Sequence, residues 1–153
     1  MAETKVNCRN KLKSIVLPVL TIIIIVSIGF NIYQDSKIKR YKEELGIIVS
    51  QGIESFASKS GSLSDELVYA EQYGDIASAQ MAYVTLSEGQ GISSEEYTSS
   101  LAMLLLNIKI LMLNDKSKVE KAFLNNNGSE LMFRISNNFE DTESIQKVFK
   151  LLE

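Results

Sequence analysis

The side chains in this sequence that are best able to do chemistry are carboxylates, and they are concentrated in one stretch. Between Ser60 and Ile108 the chain has seven acidic residues and no basic one. If they converge on one face, they form an acidic surface suited to a basic partner, a cationic ligand or a weakly held Ca²⁺. The stretch lacks the ligand rhythm of a calcium loop, so a solvated helix face is the simpler interpretation. The seven residues are Asp65, Glu66, Glu71, Asp75, Glu88, Glu95 and Glu96.

Tyrosines and one lysine supply the other reactive or binding atoms. A set of four tyrosines could line a pocket, although core and helix-packing roles are the simpler interpretation. Lys109 stands within the apolar stretch Leu101–Leu113, and a buried lysine can act as a nucleophile. Its long stem can also carry the ammonium group to water, and we favour that interpretation. The four tyrosines are Tyr69, Tyr73, Tyr83 and Tyr97.

Histidine is missing from the sequence, and Cys8 is its only cysteine. Catalytic Ser-His or Cys-His pairs are therefore excluded, and the usual zinc, copper and iron ligands are lacking beyond Cys8. We predict no cofactor and no metal site. We also predict that the chain is not an enzyme, with carboxylate chemistry in an unrecognised cleft as the remaining enzymatic alternative.

The charge distribution argues against nucleic acid as a partner. Residues 57–153 hold 8 basic and 14 acidic side chains, which gives this part of the chain a net charge of −6. Binding to a phosphate backbone depends on lysines and arginines that displace counterions. The sequence therefore predicts no nucleic-acid binding.

The longest uncharged run lies near the N-terminus and is typical of a membrane span. It comprises 21 residues, 14–34, and is dominated by isoleucine, valine and leucine. As a helix it is about 31 Å long, which matches a hydrocarbon core of about 30 Å. Small residues at Ser27 and Gly29 leave a cleaved signal peptide as an alternative, but the apolar run is longer than a typical signal core. We predict an uncleaved anchor that contacts membrane lipid.

Four basic residues on each side of the run make its orientation difficult to assign. The residues that follow it are Lys37, Lys39, Arg40 and Lys42, which can contact lipid head groups or lie in solvent. Because the leader is short and the distal domain is large, we predict a cytoplasmic N-terminus and an extracytoplasmic distal domain.

The distal chain has the spacing of consecutive helices rather than of strands. After the span, apolar residues recur at spacings of three, four and three, which predicts that the helix of the span continues. These residues form a seam that can pair with a second copy of the chain: Ile38, Tyr41, Leu45 and Ile48. The next helix is predicted to begin near Ser62 or Ser64 and to run to about Glu88, with apolar stripes on two sides that we expect to be packed between neighbours. Ser93 with Glu96, and Ser117 with Glu120, fit capping boxes.

A helix over Leu101–Leu113 is predicted to be the central core helix, since it is too short to span a bilayer. Asn125–Gly128 is expected to break the chain before a further helix, and Thr142 to cap the last one.

Together these patterns predict an all-α protein with one N-terminal transmembrane helix continuing into a bundle of about four to six helices. Its parts are a basic leader (1–13), the anchor (14–34), a membrane-proximal helix continuous with the span (35–57) and the bundle (58–153). The function we favour is a non-enzymatic protein-interaction or scaffold domain outside the cytoplasmic membrane, with a protein partner or a homodimer. The alternative is a ligand-sensing domain that works with a separate transmembrane partner.

Overall fold

The fold is described by a computed structural model that covers residues 2–88, 100–125 and 127–153, with side chains from Val16 onward apart from Asn125. All regular elements in these ranges are helices, which confirms the predicted all-α class. Six α-helices and a 3₁₀ turn at Ser60–Ser62 are assigned within them. The α-helices are α1 (Ala2–Lys59), α2 (Glu66–Ser87), α3 (Leu101–Asn114), α4 (Lys116–Asn125), α5 (Gly128–Asn137) and α6 (Thr142–Leu151).

The chain divides into two compact units, Met1–Tyr41 and Lys42–Glu153. In the first unit, every described side chain from Val16 onward is exposed. The most apolar 18-residue window of α1 has a mean hydropathy of 2.3 and none of its residues is buried. By length and composition this long apolar helix is able to cross a membrane.

The second unit is a helical bundle with α3 in its core. Ala102 and five larger apolar side chains of α3 are buried, and α2 packs along this helix. The predicted central helix is thus found with nearly its predicted bounds. The five larger residues are Leu101, Leu104, Leu105, Ile108 and Met112.

The end of α1 that lies within the second unit also contributes to this core. Val49, Ile53 and Phe56 are fully buried, and the ring of Phe56 meets the edge of Phe123 with 4.9 Å between centroids. Gly52 permits a close crossing with α2, because a Cβ there would lie 2.7 Å from the carbonyl oxygen of Asp75. Without a side chain at this position, the two helix backbones can approach each other.

Polar side chains join α1 to two other helices of the bundle. The hydroxyl of Ser55 donates to the carboxylate of Asp75 on α2 at 2.6 Å. Ser50 donates to the backbone carbonyl of Ser136 on α5 at 3.0 Å, and the Ser136 hydroxyl donates to Glu54 at 3.3 Å. These bonds lie beside the apolar core and satisfy polar groups that are partly removed from water.

Three helices begin at aspartates, and all three starts differ from the prediction. The start of α2 was predicted near Ser62 or Ser64, but this helix begins at Glu66, after the 3₁₀ turn. Asp65 caps α2 by accepting from the backbone N–H groups of Leu67 and Val68. At α4 the carboxylate of Asp115 accepts from the hydroxyl of Ser117 and the N–H of Lys118, so the predicted capping box at Ser117 is wrong.

At α6 the cap is Asp141 rather than the predicted Thr142. In both cases the aspartate lies one or two residues earlier, and a carboxylate is a stronger acceptor for backbone N–H groups than a hydroxyl. The break before α5 agrees with prediction, since Asn127 has a left-handed φ of 56°. The capping box at Ser93 and Glu96 lies outside the described residues.

Candidate functional site

Each carboxylate of the acidic stretch that the structure describes lies on or beside α2. Asp65 caps the start of this helix and Glu66 is exposed in its first turn, while Glu88 is exposed just after its end. Glu71 and Asp75 are one turn apart and face α1. The structure thus brings two of the five together and separates the others along the helix.

The two acids that face α1 have partners there. Glu71 pairs with Lys59, both about half exposed. Asp75 is partly buried and accepts from Ser55. Gln72 lies between them, is fully buried, and donates weakly to Asp75 and Ser55 at 3.4 and 3.5 Å, while its own Oε1 has no hydrogen-bond partner among the described residues. These contacts form a polar junction between α1 and α2. Glu95 and Glu96 lie outside the described residues.

The described tyrosines belong to two separate places on the bundle. Tyr69 stacks with Tyr73, with ring centroids 6.4 Å apart, and its hydroxyl donates to the carbonyl of Met112 at 3.0 Å. The ammonium group of Lys116 lies 5.1 Å from the centre of the Tyr69 ring. This pair therefore holds α2 against α3. Tyr97 lies outside the described residues.

Tyr83 lines a small cleft at the other end of α2. Its ring meets the edge of Phe139 at 6.0 Å, and Leu86, Ser87 and Glu140 complete the lining of a cleft of about 220 Å³. Burial, together with the nearby charge of Glu140, raises the pKa of the Tyr83 hydroxyl. The cleft is smaller than the 300–1,000 Å³ typical of small-molecule sites.

Lys109 is partly buried on α3, and its ammonium group donates to the side-chain amide oxygen of Gln80 on α2. The lysine thus links two helices of the bundle. Within the part of the chain that the structure describes, no group of three or more cysteines and carboxylates is placed to hold a metal ion.

The basic residues after the apolar run make local contacts along α1. The ammonium group of Lys37 lies 4.9 Å from the centre of the Tyr33 ring, and Arg40 lies 6.0 Å from that of Tyr41. Lys39 forms an exposed ion pair of 2.9 Å with Asp35, and this hydrogen bond raises the pKa of Lys39. Lys42 is exposed in the second unit.

The predicted pairing seam is divided between exposed and packed residues. Ile38 and Tyr41 are exposed in the first unit, and Ile48 is exposed in the second. Leu45 packs partly against the core of the bundle.

One face of α2 is exposed although it was expected to be packed against a neighbouring helix. Both stripes of this helix were expected to be packed, but Leu67 and Met81 are 83% and 74% exposed, and the small residues Ala70, Gly74 and Ser78 between them are exposed as well. A Cβ built on Gly74 would meet no atom within 4 Å. The stripe predicted from the periodicity is therefore only partly exposed. Its Leu63 is fully buried, its Ala77 and Val84 are partly buried, and Ser78 rather than Ala77 lies on the exposed face.

Comparison with known proteins identified no relative of this chain. The chain matches no protein-family model, no curated protein and no solved structure. Its class is therefore defined by its own fold: an all-helical protein with one long apolar N-terminal helix.

Proposed function

We propose that this chain is a single-pass membrane protein whose helical domain binds another protein outside the cytoplasmic membrane, without catalysing a reaction. The proposal rests on one observation: the long apolar segment of α1 has exposed side chains. The large side chains of this segment from Val16 to Tyr33 are between 46% and 72% exposed. Burying such a surface is worth about 25 cal/mol per Å², and a lipid core buries it on all sides.

The ends and backbone of this segment also suit a bilayer. A helix satisfies its backbone hydrogen bonds internally, as the hydrocarbon core requires. Tyr33 is an aromatic residue at the expected boundary, with Lys37 beside its ring. Aromatic and basic residues at this level are typical of membrane interfaces.

The exposed face of α2 supports the protein-binding part of the proposal. Leu67 and Met81 are separated by about 21 Å along the helix, with small residues between them. Small residues permit a close approach of a second helix, and the two large apolar residues provide contacts at its ends. The partner that fits this face is a helix with an apolar stripe.

Structural roles of the reactive groups support a non-catalytic domain. Asp65 is a helix cap, Asp75 joins two helices, and Lys109 is bonded to Gln80. Each of these three groups is thus engaged in a contact within the bundle.

The membrane anchor is tested by extracting membranes of expressing cells with alkaline carbonate. We expect the full chain to remain in the pellet, and a variant lacking residues 14–34 to appear in the supernatant. Full release of the intact chain would refute the anchor. The mass of the recovered chain separates an uncleaved anchor from cleavage after Gly29, because cleavage would remove residues 1–29.

Orientation is tested with the single native cysteine. Intact cells are treated with a membrane-impermeant maleimide, using the wild type and a Cys8→Ser, Gln146→Cys variant, since Gln146 is exposed on α6 rather than on the α2 face proposed to bind a partner. We expect labelling of the variant and protection of Cys8 until the cells are lysed. The reverse pattern would place the bundle in the cytoplasm.

Protein binding is tested by purification from native membranes with a reversible cross-linker. Leu67→Glu combined with Met81→Glu should remove the co-purified partner. The matched control, Leu113→Glu, changes a residue on α3 that is 62% exposed, and it should retain the partner. Equal recovery from both variants would count against binding through α2.

A further inference from the structure

The apolar segment of α1 carries a narrow polar stripe. Ser27, Asn31 and Gln34 are spaced by four and three residues, so they lie on one side of the helix. All three are exposed. The stripe is therefore part of the surface that the proposed membrane anchor presents to its surroundings.

The same side of the helix continues as an apolar seam in both directions. Leu17, Leu20 and Ile24 precede the polar stripe, and Ile38 and Tyr41 follow it, with an unbroken alternation of three and four residues. Such an alternation is the signature of a helix that packs along a second helix. All of these residues belong to the first unit and are exposed.

Two other polar side chains of this unit are already satisfied within the helix. Thr21 donates to the carbonyl of Leu17 and Ser36 donates to that of Ile32, both at 3.0 Å. Among the residues that the structure describes, the amides of Asn31 and Gln34 form no hydrogen bond. Asn31 lies on the apolar side of the boundary residue Tyr33, where a carboxamide without a partner is costly, so this group favours a partner at the same depth.

We propose that two copies of this chain pair in parallel through this face of α1, with Asn31 opposite Asn31 and Gln34 opposite Gln34. The pairing rests on the proposed membrane anchor, which gives both copies the same direction and depth. A carboxamide has both donors and an acceptor, so it is complementary to itself across a two-fold axis. Asparagine in the seam of two parallel helices also fixes their register.

The charged neighbours of the seam do not compete with this arrangement. Lys37 lies over the ring of its own Tyr33, and Lys39 is paired with its own Asp35. Their charges are thus engaged along the helix, leaving the seam to the amides and the large apolar side chains.

Cysteine cross-linking of the full chain in its native membrane tests the pairing. In a Cys8→Ser background, Ile38→Cys places a thiol in the seam just beyond the apolar run. Ser36→Cys places one two residues away on the opposite side of the helix. Under mild oxidation we expect Ile38→Cys to form disulfide-linked dimers at least about tenfold faster than Ser36→Cys. Equal rates, or a product containing a different protein, would overturn pairing with a second copy.

A second variant tests the role of the amide. Asn31→Leu added to Ile38→Cys should slow dimer formation roughly three- to tenfold, as expected for the loss of an interhelical hydrogen bond in a membrane. Thr21→Leu is the matched control and should leave the rate unchanged, because its hydroxyl bonds within its own helix. An unchanged rate with Asn31→Leu would refute the amide contact.

Carbonate extraction of the same membranes separates the two proposals. If the chain is released, the membrane anchor fails and the pairing fails with it. If the chain stays in the pellet while Ile38→Cys does not cross-link, the anchor stands and the pairing alone is refuted.

Discussion

At the scale of single residues, the crossing of α1 and α2 combines a close backbone contact with a small polar junction. Gly52 provides the space, and Ser55, Gln72 and Asp75 provide the hydrogen bonds beside it. The crossing therefore depends on the absence of one side chain and on the presence of three others.

Alanine at position 52 should weaken the bundle. The added Cβ would lie 2.7 Å from the Asp75 carbonyl oxygen and 3.0 Å from the Cβ of Ala79, so the helices must separate. We expect Gly52→Ala to lower the free energy of unfolding by about 1–3 kcal/mol. Thermal unfolding of the detergent-solubilised chain, followed by circular dichroism, measures the change.

The matched control is Gly46→Ala in the same helix, where an added Cβ meets nothing within 4 Å. Because alanine is the better helix former, this change should raise stability by up to about 1 kcal/mol. If both variants were equally destabilised, close packing at Gly52 would not be the cause.

Methionine at position 72 should be tolerated or even stabilising. Gln72 is fully buried and its Oε1 is unsatisfied, while its two donated bonds are long. Gln72→Met removes a buried acceptor that costs about 1–3 kcal/mol to leave unpaired. Urea unfolding should show equal or higher stability. A clear loss of stability would show that the amide is satisfied in solution.

These partnerships could not be read from the sequence. The acidic stretch was visible as a composition bias, but Asp75 and Glu71 meet α1 only because of how the two helices cross. A carboxylate that faces solvent and one that faces a neighbouring serine have the same sequence signal. The acidic interaction face as a whole remains a prediction.

At the scale of elements, three helix starts depend on an aspartate. The carboxylates of Asp65, Asp115 and Asp141 accept hydrogen bonds from backbone N–H groups of the first turn. Each also places a negative charge at the positive end of its helix dipole.

The start of α2 should weaken without its cap. Asp65→Ala removes the acceptor for the N–H groups of Leu67 and Val68, and we expect a loss of about 1 kcal/mol. Asp65→Asn retains a good cap and should lose much less. Chemical unfolding of both variants checks this difference, and equal losses would exclude capping as the cause.

The start of α6 should depend on pH in a defined direction. The hydrogen bonds from the Ser144 hydroxyl and N–H lower the pKa of Asp141. Its stabilising effect is therefore complete above the unfolded-state pKa of about 3.9 and is lost as the pH falls through the lower folded-state pKa.

Asp141→Asn keeps an acceptor but cannot titrate in this range. The melting temperatures of wild type and variant should differ most at neutral pH and converge below about pH 4. Asp115, whose pKa is also lowered by hydrogen bonds, is present in both proteins and cancels in the comparison. The pKa of Glu143 falls slightly further in the variant, because the charge of Asp141 raises it in the wild type. A constant difference down to acid pH would refute the assignment.

Element positions were predictable where the apolar pattern is strong. The central helix was predicted as Leu101–Leu113 and is observed as Leu101–Asn114. The caps of α4 and α6 were predicted one or two residues too late. Serine, threonine and aspartate all fit a cap, and the sequence alone does not show which of two neighbouring candidates is used.

At the scale of the whole molecule, the bundle contains its own complete core. The buried residues from Val49 to Leu152 all belong to the second unit. One continuous core of this kind is what an independently folding domain requires.

Residues 42–153 should therefore fold when expressed alone. We expect a helical product that stays in solution and unfolds in one cooperative transition. Phe56→Ala in this fragment should cost about 3–5 kcal/mol because its ring is fully buried against Phe123. A fragment without a cooperative transition would show that the bundle needs the first unit.

The hydrogen bond between Ser50 and Ser136 has a consequence for how the protein is made. Its two residues are 86 positions apart, which corresponds to roughly 4–17 s of synthesis at the usual rate of about 5–20 residues per second. For part of that time α1 is already outside the ribosome with Val49, Ile53 and Phe56 uncovered, while α5 and α6 have not yet been made. The newly made apolar surfaces of α1 and α3 must be kept from aggregating until then. This chain is thus expected to depend on a holding chaperone, or on the export machinery itself, during its synthesis.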